Sequence, residues 1–360
     1  MENGQVVSWE VKPNGQLRQV GSFDAGGTST CYITLDKEVQ NMLVVNYWDA
    51  TIHVLKMNPE SGIVEKAASM YDPKEGKQML AKATKHVNHS RNDETAQKER
   101  QSDPHSHAVI LDPFYGRIAY VPDLGMDLIR QFIYDPATST LTPAGTMPSG
   151  PDGRVALGPR YIEFHPTLPV CYVVNELSSE VSVFEFSHKA AKDMVELGPS
   201  KAFAAAPTLR LVQTVRTIPK ALPGEMNTCG RITVHPAGNF VLVSNRGHDS
   251  MAIFKVHHND MDVPGMLTLA NAQHTGGATP RHFAFDQSGQ WLIAANQDSD
   301  HVSIFSFNLA TGHMVWTRNR YYVPSPNFVC SVRPHRQTRR LPPNTMPGSS
   351  PQNKNPIAKL

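Results

Sequence analysis

A strand-rich unit recurs five times along this chain, and that recurrence constrains the fold more than any other feature. The copies are CYITLDKEVQNMLVVNYWDATIHVLKM at 31–57, HAVILDPFYGRIAYVPDLGMDLIRQFIY at 107–134, RYIEFHPTLPVCYVVNELSSEVSVFEF at 160–186, GRITVHPAGNFVLVSNRGHDSMAIFKV at 230–256 and RHFAFDQSGQWLIAANQDSDHVSIFSF at 281–307. They align without gaps or with one extra residue. Each holds three short runs of alternating apolar residues with a turn after the first, the pattern of short strands joined by hairpins. The residue before that turn is Asp36, Asp112, His165, His235 or Asp286, with later spacings of 53, 70 and 51 residues. Such spacing suits a propeller blade, whose fourth, outer strand falls between the segments, near Leu141, Leu211 and Met266. The expectation is an all-β chain of propeller type. There is no Gly-His…Trp-Asp signature and no Gly-Gly pattern, and the period excludes helical repeats.

Two interruptions break the repeat. Residues 73–103 are polar and charged and read as a long insertion loop, while 187–207 are Ala-rich with a helical tint. After Arg333 the chain becomes basic and Pro-rich without apolar periodicity. The domain plan is thus a propeller over 1–332 and a disordered tail over 333–360, a docking or targeting segment being the alternative for the tail.

Composition narrows the function classes. A formal net charge of +2 over 360 residues is too small for a nucleic-acid binder, and scattered aromatics offer no stacking platform. No run approaches membrane-spanning length, and the start of the chain lacks the basic and apolar regions of a signal peptide. Cys31, Cys171, Cys229 and Cys330 form no CxxC pair, which argues against a zinc site or a disulfide framework and for a reducing, cytoplasmic setting.

The repeat also supplies an internal reference: equivalent positions should look alike unless something besides the fold selects them. Five residues before the aligned Asp or His stand Cys31, His107, Arg160, Gly230 and Arg281. The second strand ends in Asn46, Asp123, Asn175, Asn245 or Asn296, short polar residues that can cap their own turns. The next position holds Tyr47, Leu124, Glu176, Arg246 and Gln297. No fold requirement unites such a set. In a closed ring both slots point toward the axis, so His107, Arg160, Glu176, Arg246 and Arg281 should meet there. Three guanidiniums near one carboxylate and one imidazole make an anion site with an acid/base pair. Salt bridges between blades are the competing explanation, and the excess of Arg over Glu favours a ligand. His105, Asn175, Asn245 and Gln297 are candidate substrate contacts on the same rim. The His105/His107 pair has metal-ligand spacing but no matching partners, so no metal is expected; Asp123 and Asp127 read as turn caps.

At these residues the chain resembles the lactonase-type seven-bladed β-propeller family, which includes propeller-type 6-phosphogluconolactonase and carboxy-muconate lactonizing enzyme. The resemblance is carried by RQSDPHSHAVILDP (100–113), PDLGMDLIRQF (122–132), the GPR…NEL stretch (158–186), the SNR stretch from His235, the TPRHF stretch from Ala278 and YYVPSPNFVCSV (321–332), which resembles the family's final strand. It implies active-site residues at His107, Arg160, Glu176 and Arg246, with Arg281 as a further contact. It implies hydrolysis of an anionic sugar lactone without metal or cofactor, as in the pentose phosphate pathway of carbohydrate metabolism, by a monomer acting on a small molecule. The alternatives are a lactonizing cycloisomerase acting on a carboxylate substrate and a non-catalytic binding propeller. Against that family pattern the chain reads as N-terminally truncated: five complete repeats, a partial blade before them and a closing strand.

Overall fold

The five repeats owe their common shape to one turn. In each, the fourth residue after the polar end of the second strand takes a left-handed backbone: Ala50, Asp127, Ser179, Asp249 and Asp300, with φ between 50° and 57°. Aspartate tolerates this region, whereas Ala50 and Ser179 adopt it at a cost. The same left-handed turn thus leads from the second strand to the third in every unit.

The computed structural model describes residues 3–73, 100–223, 226–259 and 261–332. Their sheets are five of four antiparallel strands and one of two. The two-stranded sheet is β1 (Asn3–Val11) and β2 (Leu17–Thr28). In the four-stranded sheets the first strands are β3 (Thr30–Leu35), β7 (Ile110–Leu111), β11 (Pro159–Phe164), β15 (Thr228–Val234) and β19 (Pro280–Phe285). The second are β4 (Asn41–Asn46), β8 (Ile118–Asp123), β12 (Val170–Asn175), β16 (Phe240–Arg246) and β20 (Trp291–Asn296). The third are β5 (Ile52–Met57), β9 (Leu128–Asp135), β13 (Glu180–Phe186), β17 (Ser250–Val256) and β21 (His301–Phe307). Each sheet closes with an outer strand: β6 (Val64–Tyr71), β10 (Thr140–Pro148), β14 (Leu209–Arg216), β18 (Leu267–His274) or β22 (Met314–Tyr322). Strand order within every sheet follows the chain.

Strand alternation divides the core between blades. In β12, Val170, Tyr172 and Val174 pack toward Val241, Val243 and Phe254 of the next sheet, while Cys171 and Val173 pack toward Ile118, Tyr120 and Ile133 of the preceding one. β16 repeats the pattern, with Phe240 and Leu242 facing Phe283, Leu292 and Phe305. Both faces of these strands are buried, so they read as continuous apolar runs; each large side chain so buried contributes about 1.5–3 kcal/mol. The residues aligned before the first turn fasten neighbours together. His165 Nδ1 accepts from the backbone N–H of Leu168 at 2.9 Å, and its Nε2 lies 2.9 Å from the carbonyl of Gly238 in the next sheet. His235 reaches Gly289 in the same way at 2.9 Å, and Asp36 accepts from Tyr134 of the following sheet at 2.9 Å.

The Ala-rich excursion forms helix α1 (His188–Leu197), capped by Ser187. Of the expected closing strand only Tyr321 and Tyr322 are paired, within β22; 323–332 runs without strand pairing, and Pro324 and Pro326 offer no N–H for a ladder. Most of the 73–103 insertion and all of the 333–360 tail lie outside the described residues. The four cysteines form no disulfide, and among the described residues no helix is long and apolar enough to cross a membrane.

Candidate functional site

The entries to the first strands and the ends of the second strands converge on one cavity of about 640 Å3. Its charged and polar walls include Arg100, His107, Arg160, Glu176, Arg246 and Arg281; Tyr47, Trp48, Tyr161, Cys31, Asn327 and Phe328 also line it. Four guanidiniums therefore surround a single carboxylate.

Glu176 sits at the centre of this arrangement, fixed by its backbone N–H donating to the Gly158 carbonyl at 2.7 Å and its carbonyl accepting from Cys229 at 3.0 Å. Its Oε2 lies 2.7 Å from Arg160 Nε, and its Oε1 lies 2.9 Å from Arg246 Nη2 and 2.5 Å from Arg100 Nη2. Burial alone would raise the Glu176 carboxyl, but Arg246, Arg160 and Arg100 together hold it well below the usual carboxylate range. Two of those arginines are also tied to backbone. Arg160 Nη1 donates to the Gly230 carbonyl at 3.1 Å, and Arg246 Nη2 to the Cys229 carbonyl at 2.7 Å. The absence of a side chain at Gly230 makes room there, since a Cβ would fall 2.5 Å from Ser244 Oγ and 2.8 Å from the Arg281 carbonyl.

His107 is buried between the edges of Tyr47 and Tyr161, with ring centroids 5.3 and 5.1 Å apart respectively. Burial, and then the charge of Arg160, push its imidazole well below the ordinary histidine value, so it is neutral at pH 7. Its Nδ1 has no hydrogen-bond partner among the described residues. Arg281 forms no ion pair among the described residues; burial and the neighbouring Arg160 and Arg246 lower its affinity for its proton. Cys31 is no rival nucleophile: burial lifts its thiol to about 12 despite Arg160 and Arg281, and only a thiolate would attack.

The structure thus gathers His107, Arg160, Glu176, Arg246 and Arg281 from four different sheets. The other four rim candidates stand outside the cavity lining. Asn175 Nδ2 donates to Ser182 Oγ at 2.9 Å and toward the Ser149 carbonyl; Asn245 Nδ2 donates to the Thr217 carbonyl at 3.0 Å and to Ser250. Both tie the preceding connection to their own third strand, as Asn296 does, while Asn46 links Ala25 of β2 to Thr51 at the head of β5. His105 stacks on Tyr47 at 4.9 Å, behind the cavity wall, and Gln297 begins a short 3-10 turn. Asp123 caps its turn through Gly125 and Met126 and pairs with Arg130, while Asp127 holds the backbone of Ala156 and Gly158. Repeat comparison missed Arg100, Asn327 and Phe328, which lie outside the repeated segments. Only the position of Arg100 at the head of the RQSDPHSH stretch marked it.

On this propeller scaffold one cavity sets arginines around a single glutamate beside a neutral histidine. The family model described as "Lactonase, 7-bladed beta-propeller" matches residues 1–331, and the chain belongs to that family. The 6-phosphogluconolactonase of Bacillus subtilis is 28% identical over 324 residues, covering 90% of this chain and 79% of the relative. Among solved structures, the periplasmic gluconolactonase of Pseudomonas aeruginosa superposes with a TM-score of 0.71 at 24% identity, covering 91% of this chain and 79% of that one. A protein from Lactobacillus plantarum gives 0.69 at 22% identity, with 90% and 80% covered. These two structural likenesses speak to the fold.

Proposed function

We propose that this protein hydrolyses an anionic sugar lactone of the 6-phosphogluconolactone kind. The observation that carries the reading is the cavity itself: four guanidiniums face one carboxylate beside a neutral imidazole. The excess positive charge suits a substrate that brings its own anion. In this reading water attacks the ring carbonyl while the neutral His107 imidazole takes a proton from it. Negative charge gathers on the carbonyl oxygen, where Arg160 or Arg246 stabilises it. The ring C–O bond then breaks, and the imidazolium returns the proton to the departing hydroxyl. Glu176 stays ionised at neutral pH, so it serves to hold Arg160 and Arg246 and to stabilise the transient imidazolium, not to donate a proton.

The test is hydrolysis of 6-phosphogluconolactone by the purified chain, followed by acid release against the spontaneous rate. Wild type should turn over. His107→Ala should lower kcat by roughly 10²–10⁴-fold, the range for a lost general base. Because His107 titrates below its ordinary 6.5, kcat should persist on the acid side of that value. A wild-type rate equal to the spontaneous one, or an unchanged His107→Ala, would overturn the reading.

A further inference from the structure

We propose that Arg100 recognises the substrate's charged group, leaving Glu176 for the incoming anion. The inference rests on the lactone reading above and names which guanidinium sets its specificity. The three arginines on Glu176 are not equivalent. Arg160, 2% exposed, alone holds Oε2 and is tied to the Gly230 carbonyl. Arg246, 12% exposed, holds Oε1 and is tied to the Cys229 carbonyl. Arg100 adds a second guanidinium to that same Oε1, is 30% exposed, and among the described residues has as its other bond a 3.4 Å one to Tyr47 Oη. With Arg100 withdrawn, both oxygens of Glu176 remain paired. The carboxylate does not need it, yet it stands on the solvent side of the cavity.

Its reach is set by its neighbour in sequence. Gln101 is buried, and its Nε2 donates to Asp127 Oδ1 at 2.6 Å and to the Leu124 carbonyl at 3.1 Å. The same Asp127 carboxylate accepts from the backbone of Ala156 and Gly158, each at 2.8 Å, and Gly158 in turn holds the N–H of Glu176. The chain at 101 is therefore anchored to the segment that carries Glu176, while the Arg100 guanidinium alone has room to turn. A phosphate or carboxylate entering the cavity offers Arg100 a replacement for Glu176; an uncharged lactone offers none. Arg281, without an ion pair among the described residues, also draws an anion in, but of the guanidiniums on Glu176 Arg100 is the one placed to exchange its partner for it.

The experiment compares wild type, Arg100→Gln and Arg100→Lys on 6-phosphogluconolactone and on unphosphorylated gluconolactone. It adds calorimetric binding of 6-phosphogluconate, which needs no turnover. Arg100→Gln should raise KM for the phosphorylated lactone on the order of tenfold to a hundredfold more than for the uncharged one, the scale of a lost charge-assisted hydrogen bond. It should weaken 6-phosphogluconate binding by a similar factor, and Arg100→Lys should restore part of both. Equal KM changes for the two lactones, or unchanged 6-phosphogluconate binding, would overturn the proposal. If no lactone is turned over, the lactonase reading fails, and the binding arm still decides the role of Arg100.

Discussion

Replacing Glu176 by Gln keeps the shape of the side chain and removes its charge. Arg160 and Arg246 then stay buried with no counter-charge, because Glu176 is the one carboxylate that either pairs with among the described residues. Breaking a buried pair from one side costs about 3–5 kcal/mol. At about 1.5 °C per kcal/mol for a chain of this size, Tm should fall by roughly 4–8 °C. The sign with pH follows from the depressed Glu176 pKa. The unfolded carboxyl takes a proton near its ordinary 4.5, whereas the folded one resists it, so the contribution of Glu176 is complete above 4.5 and shrinks as pH falls below it. Wild type and variant should differ most at neutral pH and converge in acid. An added anion can take the place of the lost charge: phosphate at about 100 times its Kd would return about 2.7 kcal/mol. Calorimetric melts at pH 7 and pH 4, with and without phosphate, measure all three effects. A variant that melts with wild type at pH 7, or that gains no more from phosphate than wild type, would refute the claim that this carboxylate is the counter-ion of the cavity.

Two further perturbations probe the same frame. Burial, followed by Arg231 and Arg160, pushes His282 down to about 3, so between 6.5 and 3 the unfolded state binds a proton that the folded state refuses, and stability should fall by about 1.4 kcal/mol per pH unit through that window; urea unfolding of His282→Phe at pH 7 and pH 5 should show a slope shallower by about one proton, and an unchanged slope would clear His282 of the effect. Gly230→Ala places a methyl group against Ser244 Oγ and the Arg281 carbonyl, so it should cost about 1–3 kcal/mol and raise KM by displacing the carbonyl that holds Arg160; unchanged melting and kinetics would show that the backbone there yields freely.

The blades were legible because strand alternation is a local signal and the repeat printed it five times. Slot comparison found His107, Arg160, Glu176, Arg246 and Arg281 because a ring converts equivalent positions in sequence into neighbours in space. The same logic overreached at Asn175 and Asn245: an axial slot can be filled by a residue that turns back to bind its own connections. Arg100 could not be read this way. It has no counterpart in the other units, and its place depends on Gln101 meeting Asp127, a contact between distant segments. Phe328 arrives by an unpaired stretch after β22, where no periodicity marks direction.

The fasteners at His165 and His235 bear on how this protein gains its activity. Each runs from one sheet to the next, and the five cavity residues first identified come from sheets that must dock in order around the axis. A single sheet carries at most two of those five. During refolding, secondary structure can therefore return with each blade while turnover waits for the neighbouring blades to dock, and the recovery of catalysis becomes a clock for ring assembly.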